Sequence, residues 1–451
     1  MKRFFVIALA LLLAVPAISY AGSATSRWDL AIGGYVKVDF GYSDELRANQ
    51  YIAPYRDSKA TKVAGDEYGN WFMEGVQTRL NFTVKGPDVW GMKTMAFIEG
   101  DFYGTRTSEQ GAFRLRHAFM KMIDKNFEIT FAGNTTQVWG TPTGMGQLLL
   151  TMVPWLDTGL SIGAGRVPQI NIEYFAMNRD LSMLFGIFLN TNTVGGTSLN
   201  ATSGTIDAFT MGGPSFHGRI KYETEKIGKI GNDKLAFVVD GFWGKEKKAW
   251  KGAGTVLTAG NDTATSWDDK TIDSWGAHGS FFVPILPEKK GDKTGSVGLS
   301  AFGWIAQNPG SIGPYPLIAG QNYTTPTGGT AGTYGSATTS YMRSDGSWTA
   351  PTLYGWGPQL YVYFTNNVML DLAYSEIKAN LSQRYKNNAT YANLEKVTQF
   401  VSMLSYDPNP ALKFALSWDY NKAYYSCPDA TGAVGRTGTS NVYRFAAFYF
   451  F

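Results

Sequence analysis

Charged side chains recur at alternate positions in the first part of the chain: Lys37 and Asp39, Arg79, Lys93, Glu99 and Asp101, then Arg114 and Arg116. Residues two apart on an extended chain share one face, so each group offers its charge to a single surface. Such fixed charges form and break no bonds. Beside a narrow aqueous passage they decide which ions linger and which are repelled, whereas beside bulk water they are only a solvated wall. Arg114 and Arg116 are the leading candidates for the selective role.

Covalent chemistry finds little support. His117, His217 and His278 are the only histidines, and none stands in a metal-ligand spacing or joins a recognisable acid, base and nucleophile. Cys427 is the single cysteine, which excludes an internal disulfide and any multi-cysteine metal site. Gly328-Gly329 has no strand-to-helix context for phosphate binding. The reading is not an enzyme, with no catalytic residues, metal or cofactor. A formal charge of +4, or +2 without Lys2 and Arg3, gives no reason to expect nucleic acid.

Periodicity says what positions the charges. Leu80, Phe82 and Val84, preceded by Val76 and Thr78, interleave with Gln77, Arg79, Asn81, Thr83 and Lys85. Leu412, Phe414, Leu416, Trp418 and Tyr420 do the same against Lys413, Ala415, Ser417 and Asp419, and Phe216 to Glu223 repeats the design. A strand of this kind has one greasy and one polar face. The alternation predicts strands over 30–43, 74–86, 89–103, 111–124, 126–135, 167–177, 180–191, 213–225, 233–245, 271–286, 293–307, 353–365, 367–377, 395–407, 410–423 and 439–451. Each approaches or exceeds the roughly 9–11 residues of a tilted membrane crossing. In 111–124 strict alternation puts His117 on the apolar side.

The connections alternate between tight and long. Gly86-Pro87-Asp88, Ile123 to Asn126, Ala176 to Asp180, Glu225 to Asn232, Leu286 to Asp292, Thr365 to Asn367 and Asp407-Pro408-Asn409 are tight. They face long segments such as 44–73, 136–166, 192–212, 246–270 and 308–352. Short periplasmic turns opposite long external loops, with both termini periplasmic, are the pattern of a bacterial outer-membrane barrel. In hydrocarbon every backbone N–H and C=O needs a partner, so the sheet must close on itself. The fold expected is all-β: a transmembrane antiparallel up-and-down β-barrel of about sixteen strands. A barrel of that size is too wide for wall side chains alone to fill.

The first residues read as an export signal: Lys2 and Arg3, an apolar run from Phe4 to Val15, then Ser19-Tyr20-Ala21. This sets a signal peptide over 1–21 and one barrel domain over 22–451. Trp243, Trp275, Tyr374, Trp418 and Tyr420, near strand ends, are expected in the aromatic girdles that meet lipid headgroups. At the other end Tyr443, Phe445, Tyr449 and Phe451 alternate to the final residue.

That ending resembles the assembly signal of Gram-negative outer-membrane proteins, which the barrel-assembly machinery reads. Gly34-Tyr35-Val36-Lys37-Val38-Asp39-Phe40 resembles the first strand of the homotrimeric sixteen-stranded porins, including the DcaP-like group that favours dicarboxylates, and Arg114-Leu115-Arg116-His117-Ala118-Phe119 resembles its fourth. Gly133-Asn134-Thr135-Thr136-Gln137 before Trp139, then Arg166-Val167-Pro168-Gln169-Ile170, look like the two ends of a third loop. The resemblance implies a constriction loop folded into the lumen after strand 5. It also implies a homotrimer in outer-membrane lipid and lipopolysaccharide, passing small hydrophilic solutes and ions by passive diffusion. Such loops are usually acidic, whereas 136–166 carries Asp157 as its only carboxylate, with Arg166 at its end. An anion or dicarboxylate leaning is therefore the expectation. The same loop is rich in apolar residues such as Met145, Leu148, Leu149, Leu150 and Trp155, which suit packing against a wall. The competing reading is an adhesion or binding barrel that acts through its external loops and whose lumen is sealed.

Overall fold

The computed structural model describes residues 28–44, 69–102, 104, 111–136, 138–140, 166–189, 208–211, 214–249, 257–259, 262–264, 270–308, 341–342, 348–350, 352–380, 394–425 and 437–451. The proposed signal segment 1–21, Asp157, Cys427 and the apolar residues of the third loop lie outside them.

Sixteen strands form one closed antiparallel barrel. In chain order they are β1 (Asp29–Ser43), β2 (Asn70–Glu74 resuming as Arg79–Val89), β3 (Met92–Asp101), β4 (Arg114–Ile123), β5 (Phe127–Thr136), β6 (Arg166–Ala176), β7 (Leu181–Phe188) and β8 (Ala208–Met211 resuming as Ser215–Ile230). The circuit continues through β9 (Asp233–Ala249), β10 (Lys270–Leu286), β11 (Val297–Gln307), β12 (Thr352–Tyr363), β13 (Val368–Asn380), β14 (Leu394–Asn409), β15 (Leu412–Tyr425) and β16 (Thr437–Phe450). Each pairs with its neighbours in sequence, and β16 pairs back onto β1 from Tyr35↔Phe450 to Ser43↔Val442.

The alternation read from the sequence is the alternation of the wall. On β1 the side chains of Val36, Val38 and Phe40 are exposed on the outside, while Tyr35, Lys37 and Asp39 between them are buried on the inside. On β16 Tyr443, Phe445, Tyr449 and Phe451 face outward, and Arg444, Ala446 and Phe448 inward. A soluble protein inverts this arrangement; a barrel in hydrocarbon requires it.

Several strands depart from strict alternation. Gly75 to Thr78, expected inside one continuous strand, form a break in which the Thr78 N–H donates to the Gly75 carbonyl at 3.0 Å. Three residues of β1, Val36 to Val38, stand opposite these four, so the extra residue shifts the phase. Val76, expected on the greasy outer face, is consequently buried, and Arg79 points inward. The segment expected to turn from Glu225 to Asn232 instead continues as strand to Ile230, with a register shift between Thr224 and Lys229.

The inner face is not uniformly polar. Phe282, Tyr361, Phe302, Trp304 and Leu353 are buried on the inner side of β10, β11 and β12. Three of the rings cover glycines of the neighbouring strand: Tyr361 over Gly298, Trp304 over Gly355 and Phe302 over Gly357. A side chain at any of these glycines would occupy the space of the ring.

The closing seam is tied at Gly34. Its N–H donates to the Phe451 carbonyl at 3.1 Å, and the Phe451 N–H donates to the Gly34 carbonyl at 3.2 Å. Gly34 has φ +151°, and an added Cβ would collide with the Arg79 carbonyl oxygen. Gly34→Ala must therefore part β1 from β2 and is expected to cost on the order of 1–3 kcal/mol. A lowered midpoint in the heat-dependent gel shift of the folded barrel measures this; an unchanged midpoint contradicts it.

Candidate functional site

The inward charges of β1 to β6 meet on one stretch of wall because of irregularities in the ladder. On β4, Leu115 and Met120 are both exposed outside, an odd separation that regular alternation forbids. The register shift between Glu99 and Gly100 supplies the reason: Glu99 faces His117 and Gly100 faces Leu115, leaving Arg116 as an extra residue. Such bulges re-aim side chains. Arg116 and His117 both turn inward, which corrects the expectation that His117 lies on the apolar side. A second irregularity on β5, at Gly133 and Asn134, lets the Asn134 amide donate to the carbonyls of Leu115 at 3.2 Å and Arg116 at 3.0 Å, holding the bulge.

Asp101, fully buried, accepts two hydrogen bonds from Arg114, at 2.9 Å from Nε and 2.7 Å from Nη2. A third comes from Arg116 Nη1 at 2.9 Å, while Arg116 Nε donates to Glu99 Oε1 at 2.6 Å. Charge-assisted pairs of this geometry are strong and fix the guanidinium planes. Arg114 and Arg116, the leading candidates from sequence, are therefore paired with carboxylates.

Arg79 and Arg166 differ. Arg79 stacks over the Tyr35 ring, 5.3 Å from its centroid, and its buried Nε meets no acceptor among the described residues. The buried Nε of Arg166 likewise meets none, and Arg166 lies within electrostatic reach of Arg79, Arg114 and Arg116. Among the described residues, four guanidinium groups share this wall with two carboxylates, Glu99 and Asp101, leaving an excess of two positive charges. His117 hydrogen-bonds to Thr135 Oγ1 at 2.9 Å.

The other sequence candidates are placed differently. Lys37 pairs with Asp39 at 3.0 Å, bonds to Gln77 and sits over the Phe448 ring, so this couple is a neutral part of the wall. Lys93 is exposed at the short-turn end of β3, away from the arginines. Trp243 and Trp418 are exposed on the outer face, as expected of girdle residues.

A second group escaped sequence reasoning. Beyond β5, Trp139 is 1% exposed and packs on Phe242 with centroids 4.2 Å apart, and the Gly140 N–H donates to Asp240 Oδ1 at 2.7 Å. Asp240 Oδ2 accepts from His278 Nδ1 at 2.9 Å. Residues following β5 are thus held by β9 and β10, four and five strands away around the wall, so the chain enters the lumen here. Gln169 fixes the point of departure by donating to the carbonyls of Thr135 and Thr136, both at 2.9 Å, and Asn171 links it to His217. Among the described residues no set of three or more His, Cys, Asp or Glu gathers as a metal site. The histidines act as hydrogen-bonded wall and anchor residues.

A closed sixteen-stranded barrel with an inward-turning segment after its fifth strand is the architecture of an outer-membrane porin. The solved outer membrane channel DcaP of Acinetobacter baumannii has this fold: it superposes with a TM-score of 0.62 over 95% of this chain and 99% of its own, at 16% identity. OprB of Pseudomonas putida superposes with a TM-score of 0.50 over 94% of each chain at 9% identity. No family model and no curated protein matches the sequence.

Asp240 is expected to set the position of the inward segment. Asp240→Ala strands the Gly140 N–H and the His278 imidazole, each loss costing about 1–3 kcal/mol, and single-channel current should become noisier with the barrel still folded. Asp240→Asn, which retains an acceptor, should be milder. Traces for Asp240→Ala identical to those of the parent chain would remove Asp240 from this role.

Proposed function

We propose that the chain is a diffusion porin: a water-filled channel through the bacterial outer membrane for small hydrophilic solutes and ions, leaning towards anions. The observation that carries this reading is the excess of two positive charges among the described residues of one inner wall, where the buried Nε atoms of Arg79 and Arg166 meet no described acceptor. Fixed charge at a narrow, low-dielectric place repels co-ions and concentrates counter-ions far more than the same charge in bulk water. The chain entering the lumen at Trp139 and Gly140 supplies the narrowing on this reading. A dicarboxylate preference would follow from two separated cationic points, Arg79 and Arg166, each able to take one carboxylate.

In this proposal residues 1–21 are cleaved on export, and the short-turn end with both termini faces the periplasm. The outward Tyr443, Phe445, Tyr449 and Phe451 are presented to the assembly machinery. The homotrimer follows from the sequence resemblance. Catalysis has no place in the scheme: His117, His217 and His278 are engaged by Thr135, Asn171 and Asp240.

Reversal potential across a potassium chloride gradient tests the charge assignment. The parent channel should be anion-selective, and Arg79→Gln/Arg166→Gln should bring the ratio close to that of free diffusion. Arg114→Gln/Arg116→Gln removes the same charge but strands Asp101 and Glu99, so it should lose selectivity and barrel stability together. A cation-selective parent, or unchanged selectivity in Arg79→Gln/Arg166→Gln, would overturn the assignment.

A further inference from the structure

The outer face of β12 to β15 carries charge at the end of the barrel where the long segments leave. The last outward rung to span all four strands runs Tyr354, Lys378, Lys396, Tyr424, with Lys378 and Lys396 directly opposite one another. Like charges in a direct cross-strand pair repel and destabilise the sheet unless something offsets them. The next outward rung is Trp356, Glu376, Thr398, Lys422. Lys396 Nζ lies 4.3 Å from the Tyr424 ring centroid and 3.4 Å from Glu376 Oε2, and Lys422 Nζ lies 5.1 Å from the same ring. Glu376 is the one acidic side chain on these two rungs, set against three lysines.

Depth in the membrane gives the charge its meaning. One outward step of two residues is about 6.6 Å along a strand. Below the lysine rungs come Tyr374, Phe400 and Tyr420, then Leu372, Ser402 and Trp418, then Leu370, Leu404 and Leu416. Charge above aromatics above aliphatics is the order of headgroup, interface and hydrocarbon. The lysines therefore stand at the level of lipid phosphates, and the ammonium groups of Lys396 and Lys422 flank the Tyr424 ring beside that layer.

We propose that Lys378, Lys396 and Lys422 form a binding site for the phosphate of an anionic lipid in the leaflet surrounding the long-segment end of the barrel. On the orientation given above this is the outer leaflet, and the site is independent of the pore. A phosphate bridging Lys378 and Lys396 relieves their repulsion, while the acyl chains lie along the aromatic and aliphatic rungs beneath. Three cations facing one carboxylate also select against a zwitterionic headgroup, whose own positive charge would be repelled.

Native mass spectrometry of the detergent-solubilised full chain tests this, with phosphatidic acid titrated against phosphatidylcholine. The parent protein should retain phosphatidic acid at least ten-fold more strongly, and Lys378→Gln/Lys396→Gln/Lys422→Gln should abolish the difference. Glu376→Gln should strengthen phosphatidic acid binding, a result that cannot arise from unfolding. Ion selectivity should stay unchanged in all of these variants, which separates failure of this site from failure of the porin reading. Equal retention of phosphatidic acid by the triple variant and the parent overturns the proposal, as does displacement of phosphatidylcholine and phosphatidic acid in equal measure. Competition by millimolar inorganic phosphate without loss on dilution of lipid would assign the site to free phosphate and overturn the lipid assignment.

Discussion

Hydrocarbon offers the backbone no hydrogen-bond partner, and the seam between the first and last strands is where this chain answers that constraint. Nine residue pairs join β1 to β16, and the Gly34 and Phe451 backbones exchange hydrogen bonds at its end. Open the seam, and two strand edges lie bare in lipid. Closure fixes everything that follows: because the sheet has no edge, each strand must send alternate residues to lipid and to the lumen, and at the depth of the hydrocarbon charge is carried on the lumen side.

Inside that closed wall the functional geometry comes from small breaches of regularity. A break at Gly75 to Thr78 sends Arg79 inward, and a bulge at Arg116 sends both Arg116 and His117 inward. Without these shifts Arg79 or His117 would meet hydrocarbon, where a charge costs several kcal/mol. Each breach is held by its own polar contacts: the Lys37 N–H donates to Thr78 Oγ1 at 3.1 Å, and Asn134 grips the carbonyls beside Arg116. The opposite wall works differently. There Asp240, His278 and Phe242 receive Trp139 and Gly140, so one wall presents charge and the other holds the start of the inward-turning segment.

Most of the barrel could be read from period-two alternation, because the difference between lipid and water is large at every residue. All sixteen strand positions follow from it. Phase shifts could not be read: a bulge adds one residue against a partner strand, and that partner is known only once pairing is. This is why alternation alone places His117 and Val76 on the greasy outer face, whereas both turn inward. Arg114 and Arg116 were visible as cations, but their neutralisation by Asp101 and Glu99 depends on cross-strand register. The Gly140 to Asp240 bond joins residues 100 apart in sequence, and nothing local to either marks it. Inner aromatics such as Tyr361 and Trp304 broke the expected polarity because they cover glycines of adjacent strands, a relation that also appears only with pairing.

Current through the purified full chain in a planar lipid bilayer tests the central claim most directly. Discrete upward steps of reproducible size in concentrated potassium chloride, scaling with salt concentration, are what a water-filled lumen bounded by these walls must give. Folded protein that inserts and leaves the current at the bare-lipid baseline would mean that the lumen is sealed, and would contradict the account.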